Sequence, residues 1–423
     1  MRSRSNSISR RKMLGLSAAG LLGFGLAWRK LLGQSPTGSP GNNYDIAVIG
    51  SGVFGAWTAY HLQQSGKKVI IIDAYGAANS RASSGGESRV IRMSYGADEI
   101  YTRWSMRALT SWKDFSETIG QPLFQKIGVL WMARANEPQA EKSVQTLQKL
   151  GAPFEKLSRA QLEQRFPQIA FGNITWGIFE PESGALMARR AVQLLVQEVR
   201  KNGADFLLGA VRPPSTPSHG RLHSIETRSG GVVTAETFVF ACGPWLPKIF
   251  PDLLKQRIYP TRQEVFFFGP PPGDQRFAPP SLPVWSDFGE DIYGIPDLEN
   301  RGFKIAPDWH GPPFDPETGE RRVTSETLAI VRKYISRRFP ALKDSPLIES
   351  RVCQYENTSN GDFLIDRHPG WDNVWLIGGG SGHGFKHGPA LGEYVAARII
   401  DGGTIEARFT LATKAKVQKR TVL

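Results

Sequence analysis

Residues 44–73 show the clearest succession of apolar and polar segments in the chain. YDIAVIG reads as a buried strand, SGVFGAWTAYHLQQSG as a glycine turn entering an amphipathic helix, and KKVIIID as a second buried strand ending in an acid. Further along, residues 100–119 read as a helix whose Trp104, Leu109, Trp112 and Phe115 are core, and 127–133 as a strand. A helix running to Leu150 follows, with Asn136 as its expected cap and Pro138 in its first turn. A short helix over 158–166 starts at a Ser cap. Val192, Leu195, Val196 and Val199 recur at helical spacing, which predicts a helix over 189–202 ended by Gly203. Residues 206–211, 237–245 and 374–378 read as further strands, and 390–400 as a helix.

Residues 255–345 differ in character, being rich in proline and aromatics with short strands such as 264–268 and 303–306. The pattern predicts an α/β fold of mixed α+β character. In it a Rossmann-like nucleotide domain (41–120, 185–254 and 346–410) is interleaved with a second, mixed-β substrate domain (121–184 and 255–345). Residues 1–40 form a leader and linker, and 411–423 a tail.

The chemistry of the first segment follows from its glycines. Gly50, Gly52 and Gly55 form G-x-G-x-x-G directly after a strand. The first permits a tight turn, the second admits a pyrophosphate close to the backbone, and the third lets the helix approach the sheet. The helix N-terminus offers unpaired N–H groups to phosphates, and Asp73 can accept both hydrogen bonds of a ribose diol. Strand, turn, helix, second strand and acid together point to dinucleotide binding rather than a merely structural turn. The loop Ser83-Ser84-Gly85-Gly86-Glu87-Ser88-Arg89-Val90-Ile91-Arg92 follows, with small residues suited to wrapping phosphate or ribityl oxygens. A second glycine-rich strand-to-helix turn, GGSGHGFKHGP, closes the chain, so both ends are expected to meet at one cofactor.

The formal charge of +13 changes meaning once the N-terminus is set aside. Residues 1–40 hold seven Lys/Arg and no acid; without them 45 basic residues face 39 acidic ones, a net of +6. That modest excess, with no long basic run, argues against a nucleic-acid partner. Ser9-Arg10-Arg11-Lys12-Met13-Leu14 followed by an uncharged Leu/Ala/Gly-rich stretch has the form of an export signal of the twin-arginine type. Export to a periplasmic or equivalent compartment by the twin-arginine machinery is the expectation. A basic tail with a short apolar membrane tether is the alternative, since no clear A-x-A cleavage site follows. The two cysteines, Cys242 and Cys353, could form a disulfide in an exported protein.

Six motifs in order carry a resemblance: GSGVFG with Asp73, SSGGESRVIR, ACGPW, GFK, Cys353-Gln354-Tyr355 before FLIDRHP, and SGHGFK before GPALGE. The chain resembles the D-amino-acid oxidase superfamily, and within it the monomeric sarcosine oxidase and N-methyltryptophan oxidase branch. The resemblance implies FAD, bound by Gly50, Gly52, Val53, Phe54, Gly55, Asp73, Ser84, Arg89 and Gly243. Gly380, Gly382, Gly384, Phe385 and Lys386 complete the implied cradle, and Cys353 is joined to the flavin through sulfur; a buried free cysteine is the alternative. It implies that Lys304 activates oxygen, that Arg92 and Lys386 hold a substrate carboxylate, and that His383, Tyr293 and Tyr355 face the reacting amine. The implied reaction is oxidation of the C–N bond of a carboxylated secondary amine, with hydride passing to flavin N5 and O2 reduced to H2O2 by a monomer. Glu356 departs from the branch, which has Thr there, in a region expected to border the substrate. A dehydrogenase passing electrons to a quinone or protein, and a non-catalytic flavin-bearing protein, are the rival readings.

Overall fold

The β-branched runs around the first glycine turn pair side by side, as strands buried on both faces must. A computed structural model of the chain describes residues 43–215 and 220–416. In it Tyr44–Ile49 runs parallel to Val69–Asp73 on one side and to Val232–Phe240 on the other. Asp205–Leu208 extends this sheet beyond Val69–Asp73, while Val374–Gly378 and then Leu364–Arg367 extend it on the opposite side. Ser224–Glu226 adds the seventh strand. The chain leaves Tyr44–Ile49 in one direction and returns much later on its other flank. The crevice at the strand ends is therefore a topological switch point, where open α/β sheets bind ligands.

Helix Val53–Gln64 packs against Gly388–Ile400, which brings the turns at the two ends of the chain together. Trp57 and Trp112, both fully buried, meet edge to face beneath them at 5.1 Å between ring centroids. The helix expected from Val192, Leu195, Val196 and Val199 spans Ala188–Lys201 and buries all four.

The second sheet has eight strands in the order Leu347–Thr358, Ile258–Phe268, Phe303–Pro307, Ile292–Ile295, Val284–Asp287, Val129–Ala133, Trp176–Glu180 and Glu155–Ser158. Leu347–Thr358, grouped above with the nucleotide-binding stretches, pairs here along the full length of Ile258–Phe268. That pairing also explains why the strand expected at 264–268 is eleven residues long. Behind the sheet Trp285 stacks on Phe303 and Tyr334 in a separate apolar cluster.

Local expectations were corrected in several places, among them the strand expected at 237–245, which is Val232–Phe240 followed by a 3-10 turn at Gly243–Trp245. Helix Pro138–Leu150 is capped by Glu137 rather than Asn136, and no side chain closes that cap. The strand at 206–211 is Asp205–Leu208. The loop ending in Arg92 is partly ordered: Ser83–Gly85 makes a 3-10 turn and Arg89–Ile91 a strand against Gly184–Leu186. The Ser158 cap is present as a full capping box with Gln161. Ser158→Ala should therefore lower stability by about 1 kcal/mol, read as a shift of the urea unfolding midpoint at unchanged slope. Among the described residues no helix is long and apolar enough to cross a membrane. The leader itself lies outside the described residues.

Candidate active site

The first turn is built by close approach. Gly50 has φ +104°, and a Cβ there would stand 2.3 Å from the Ala241 carbonyl oxygen. A Cβ on Gly55 would stand 1.9 Å from the Gly50 carbonyl, so neither position admits a side chain without moving the strand ends. Ser84 Oγ accepts the Val53 N–H at 3.0 Å and ties the following loop to the helix start. Asp73 is fixed at the end of the second strand. Its Oδ2 accepts from the Ser51 N–H and hydroxyl at 2.7 and 2.8 Å, and its Oδ1 from the Tyr75 and Gly76 N–H groups.

These groups line a cleft with about 1410 Å³ of empty volume including its mouth. Gly50, Gly52, Val53, Phe54 and Asp73 form one wall, with Ser84, Arg89 and Gly243 beside them. Gly380, Gly382, Gly384 and Phe385 close it from the C-terminal turn. Gly55 stays behind the wall, where it sets the distance between helix and sheet. The cleft runs from the first glycine turn to the C-terminal one, an elongated shape that suits an extended dinucleotide. It also contains an unmet polar demand: Glu356 Oε2 is buried without a hydrogen-bond partner. Burial raises the Glu356 carboxyl to about 7. Glycine cradle, helix N-terminus, acid-capped second strand and orphaned carboxyl oxygen together fit a flavin dinucleotide.

Glu356 lines this cleft and not the neighbouring cavity, so its expected place beside the substrate is corrected. Successive residues of a strand face opposite sides, which sends Tyr355 and Glu356 different ways. The neighbouring cavity, with about 840 Å³ of empty volume including its mouth, shares Arg89, Tyr355, Gly382 and Phe385 with the cleft. Arg92, Tyr293, Cys353, His383 and Lys386 line it. The structure thus gathers the residues predicted for substrate next to those predicted for cofactor.

Arg92 is 7% exposed, and its guanidinium lies 4.2 Å from the Tyr95 ring centroid and 4.8 Å from that of Trp131. It donates to the Ser94 carbonyl. The segment behind it is braced by buried Glu180, which accepts from the Met93 and Ser94 N–H groups at 2.7 and 3.0 Å and from the Trp131 indole at 2.9 Å. Lys386 Nζ donates to the Tyr95 hydroxyl at 2.7 Å and to the His383 carbonyl at 2.8 Å. Burial, reinforced by the Arg92 charge, pushes the Lys386 ammonium well below its ordinary value. His383 Nε2 meets the Gly361 carbonyl at 3.0 Å.

Cys353 Sγ lies 3.5 Å from Arg89 Nη2, whose guanidinium also donates to the Ser83 and Ser88 carbonyls. Both cysteines are free thiols, so the disulfide expectation is overturned. Cys242 sits on the cleft wall, 3.5 Å from the Ile49 carbonyl. Lys304 lines neither the cleft nor the 840 Å³ cavity. It borders two further cavities, and its Nζ donates at 2.8 Å to the Ser88 carbonyl that also accepts from Arg89. Burial, then the Arg89 charge, drives the Lys304 ammonium well below 10.5.

Comparison with known proteins decides between the dinucleotides. Residues 45–398 match the family model described as FAD dependent oxidoreductase, DAO. The chain belongs to the DAO family of FAD-dependent oxidoreductases. It is 29% identical over 369 residues to a monomeric sarcosine oxidase of Streptomyces avermitilis, covering 85% of this chain and 94% of that one. It is 30% identical over 367 residues to an N-methyl-L-tryptophan oxidase of Salmonella heidelberg, covering 84% and 94%. Its fold matches that of L-proline dehydrogenase from P. horikoshii with a TM-score of 0.75 at 21% identity, over 86% of this chain and 95% of that one.

Within this DAO-family site, sequence reasoning missed Tyr95, Glu180 and Asp308. Tyr95 and Glu180 had no periodic signal, because they act through loop and strand ends. Asp308 was legible: Lys304, Ala306 and Asp308 alternate onto one face at the end of a strand.

Proposed function

We propose that the protein is an FAD-dependent oxidase of a carboxylated secondary amine, exported by its twin-arginine leader. The observation that carries this reading is the pair of buried cations, Arg92 and Lys386, lining a cavity that opens onto the cofactor cleft. An arginine fork and a lysine point charge suit one carboxylate. Held there, the substrate extends its amine past Tyr293 and Tyr355 toward the shared wall of cleft and cavity. FAD, when bound, would supply the redox chemistry: acceptance of a hydride equivalent from the carbon next to the amine nitrogen and two-electron reduction of O2 to H2O2. Lys304 supplies a buried positive charge near Cys353 and Arg89 for the oxygen reaction, and the sarcosine and N-methyltryptophan oxidase relatives support the substrate class.

A panel of N-methyl and cyclic amino acids, followed by peroxide release under air, tests the reading. Absence of both flavin bleaching and peroxide with every member would overturn it. We also propose that Cys353 carries the flavin through a thioether, supported by its place in the cavity beside Arg89. Denatured wild-type protein should then keep its yellow colour on the chain, whereas Cys353→Ser should release all of it into the supernatant.

A further inference from the structure

Asp308 follows directly on strand Phe303–Pro307, and its backbone N–H is fixed by the Asp291 carbonyl at 2.7 Å. Its side chain lines the same cavity as Arg92 and Lys386. Oδ1 accepts the Tyr355 hydroxyl at 2.6 Å. Among the described residues no direct ion pair joins Asp308 to Arg92 or Lys386, although both charges act on its carboxyl, so the cavity presents two basic side chains and one carboxylate. Such a layout is the charge reverse of an amino-acid zwitterion. A carboxylate meets the cations, and an ammonium group meets Asp308.

Resting on the reading of this cavity as an amino-acid site, we propose that Asp308 receives the substrate's protonated amine and removes its proton before oxidation. The step moves a proton only: an N–H bond of the ammonium breaks, an O–H bond forms on Asp308, and the nitrogen lone pair is freed. That lone pair is needed because it forms the C=N bond as a hydride equivalent leaves the adjacent carbon, and a protonated amine has none to donate. Several groups set the acidity of this carboxyl. Burial raises it to about 6, against the Tyr355 hydrogen bond and the Arg92 and Lys386 charges, with Asp291 reinforcing the rise. Tyr293 and His383 face it from the remaining walls. The same two cations depress the amine's own pKa, which narrows the gap the proton must cross.

Two small carboxylates, one with and one without a protonated amine, separate this role from simple packing. N,N-dimethylglycine carries a carboxylate and a protonated amine, whereas (methylthio)acetate carries the carboxylate alone. Each is titrated into purified holoenzyme at pH 7 by flavin absorbance, in the wild type, Asp308→Asn and Asp308→Glu. Dimethylglycine should bind at least tenfold more weakly to Asp308→Asn, as loss of a charged hydrogen bond implies, with (methylthio)acetate unaffected and Asp308→Glu close to wild type. In the wild type, kcat/KM should fall as pH drops through about 6, where the carboxylate is protonated, and Asp308→Asn should lack that limb. Equal loss of both ligands, or no loss of either, would overturn the assignment while leaving the carboxylate site intact. Failure of both ligands to bind the wild type would remove the amino-acid reading and this assignment with it.

Discussion

Lys304→Met should slow the reaction of the reduced enzyme with oxygen about 100-fold, and leave reduction of the flavin by amine nearly unchanged. Removing one preorganised electrostatic group from a buried site typically costs about 10²–10³ in rate. The asymmetry between the two half-reactions follows from placement. Lys304 is 2% exposed and lines neither the cofactor cleft nor the amine cavity. It is held on the Ser88 carbonyl next to Arg89, away from the groups proposed to grip substrate, which leaves the proposed oxygen reaction as the step it would serve. The pH dependence has a definite sign. The stabilising species is the ammonium, and burial with Arg89 depresses its pKa. The oxygen reaction should therefore slow as pH rises through a value well below 10.5, and Lys304→Met should be flat over that range. Stopped-flow mixing of reduced enzyme with oxygenated buffer reads both effects. If wild-type oxygen reactivity is already slow and indifferent to this substitution, electrons leave to another acceptor and the dehydrogenase reading replaces the oxidase one.

How far the sequence could be read depended on whether a residue acts within a motif or across the fold. The cradle of Gly50, Gly52, Gly55 and Asp73 was legible because its chemistry is local, with strand, turn and helix contiguous in the chain. The cationic pair was legible residue by residue only through family resemblance, since Arg92 and Lys386 lie almost three hundred positions apart. Their partners were not. Tyr95 joins Lys386 to the Arg92 ring stack, and Glu180 braces the backbone behind Arg92. Both contacts exist only once the two sheets are assembled. The pairing of Leu347–Thr358 with Ile258–Phe268 was invisible for the same reason, because antiparallel register between distant strands leaves no periodic mark. Asp308 is the instructive exception: its place just after a strand was present in the sequence, and only its hydrogen bond to Tyr355 in the cavity gave it chemical meaning.

Arg92→Ala should lower kcat/KM for carboxylated amines by about 100-fold or more, since truncating a buried charge partner typically costs about 2–5 kcal/mol. Amines without a carboxylate should be affected far less, and that difference is the informative measurement. The guanidinium carbon lies over both the Tyr95 and the Trp131 ring, and one nitrogen is occupied by the Ser94 carbonyl. The remaining donors are thereby fixed in orientation before substrate arrives, and little entropy is lost on binding. Arg92→Lys separates charge from geometry, because lysine keeps the charge but neither the fork nor the stacking surface. If charge alone mattered, the lysine variant would recover most of the loss. The geometry predicts partial recovery only, with KM remaining high. Lys386 cannot fill the gap: burial and, in the wild type, Arg92 itself weaken its hold on a proton. Removing Arg92 should raise the Lys386 pKa, so the residual activity of Arg92→Ala should extend to higher pH than a lysine beside a second cation allows. Unchanged selectivity between carboxylated and plain amines in Arg92→Ala would place the carboxylate elsewhere and leave the arginine a packing role between its two rings.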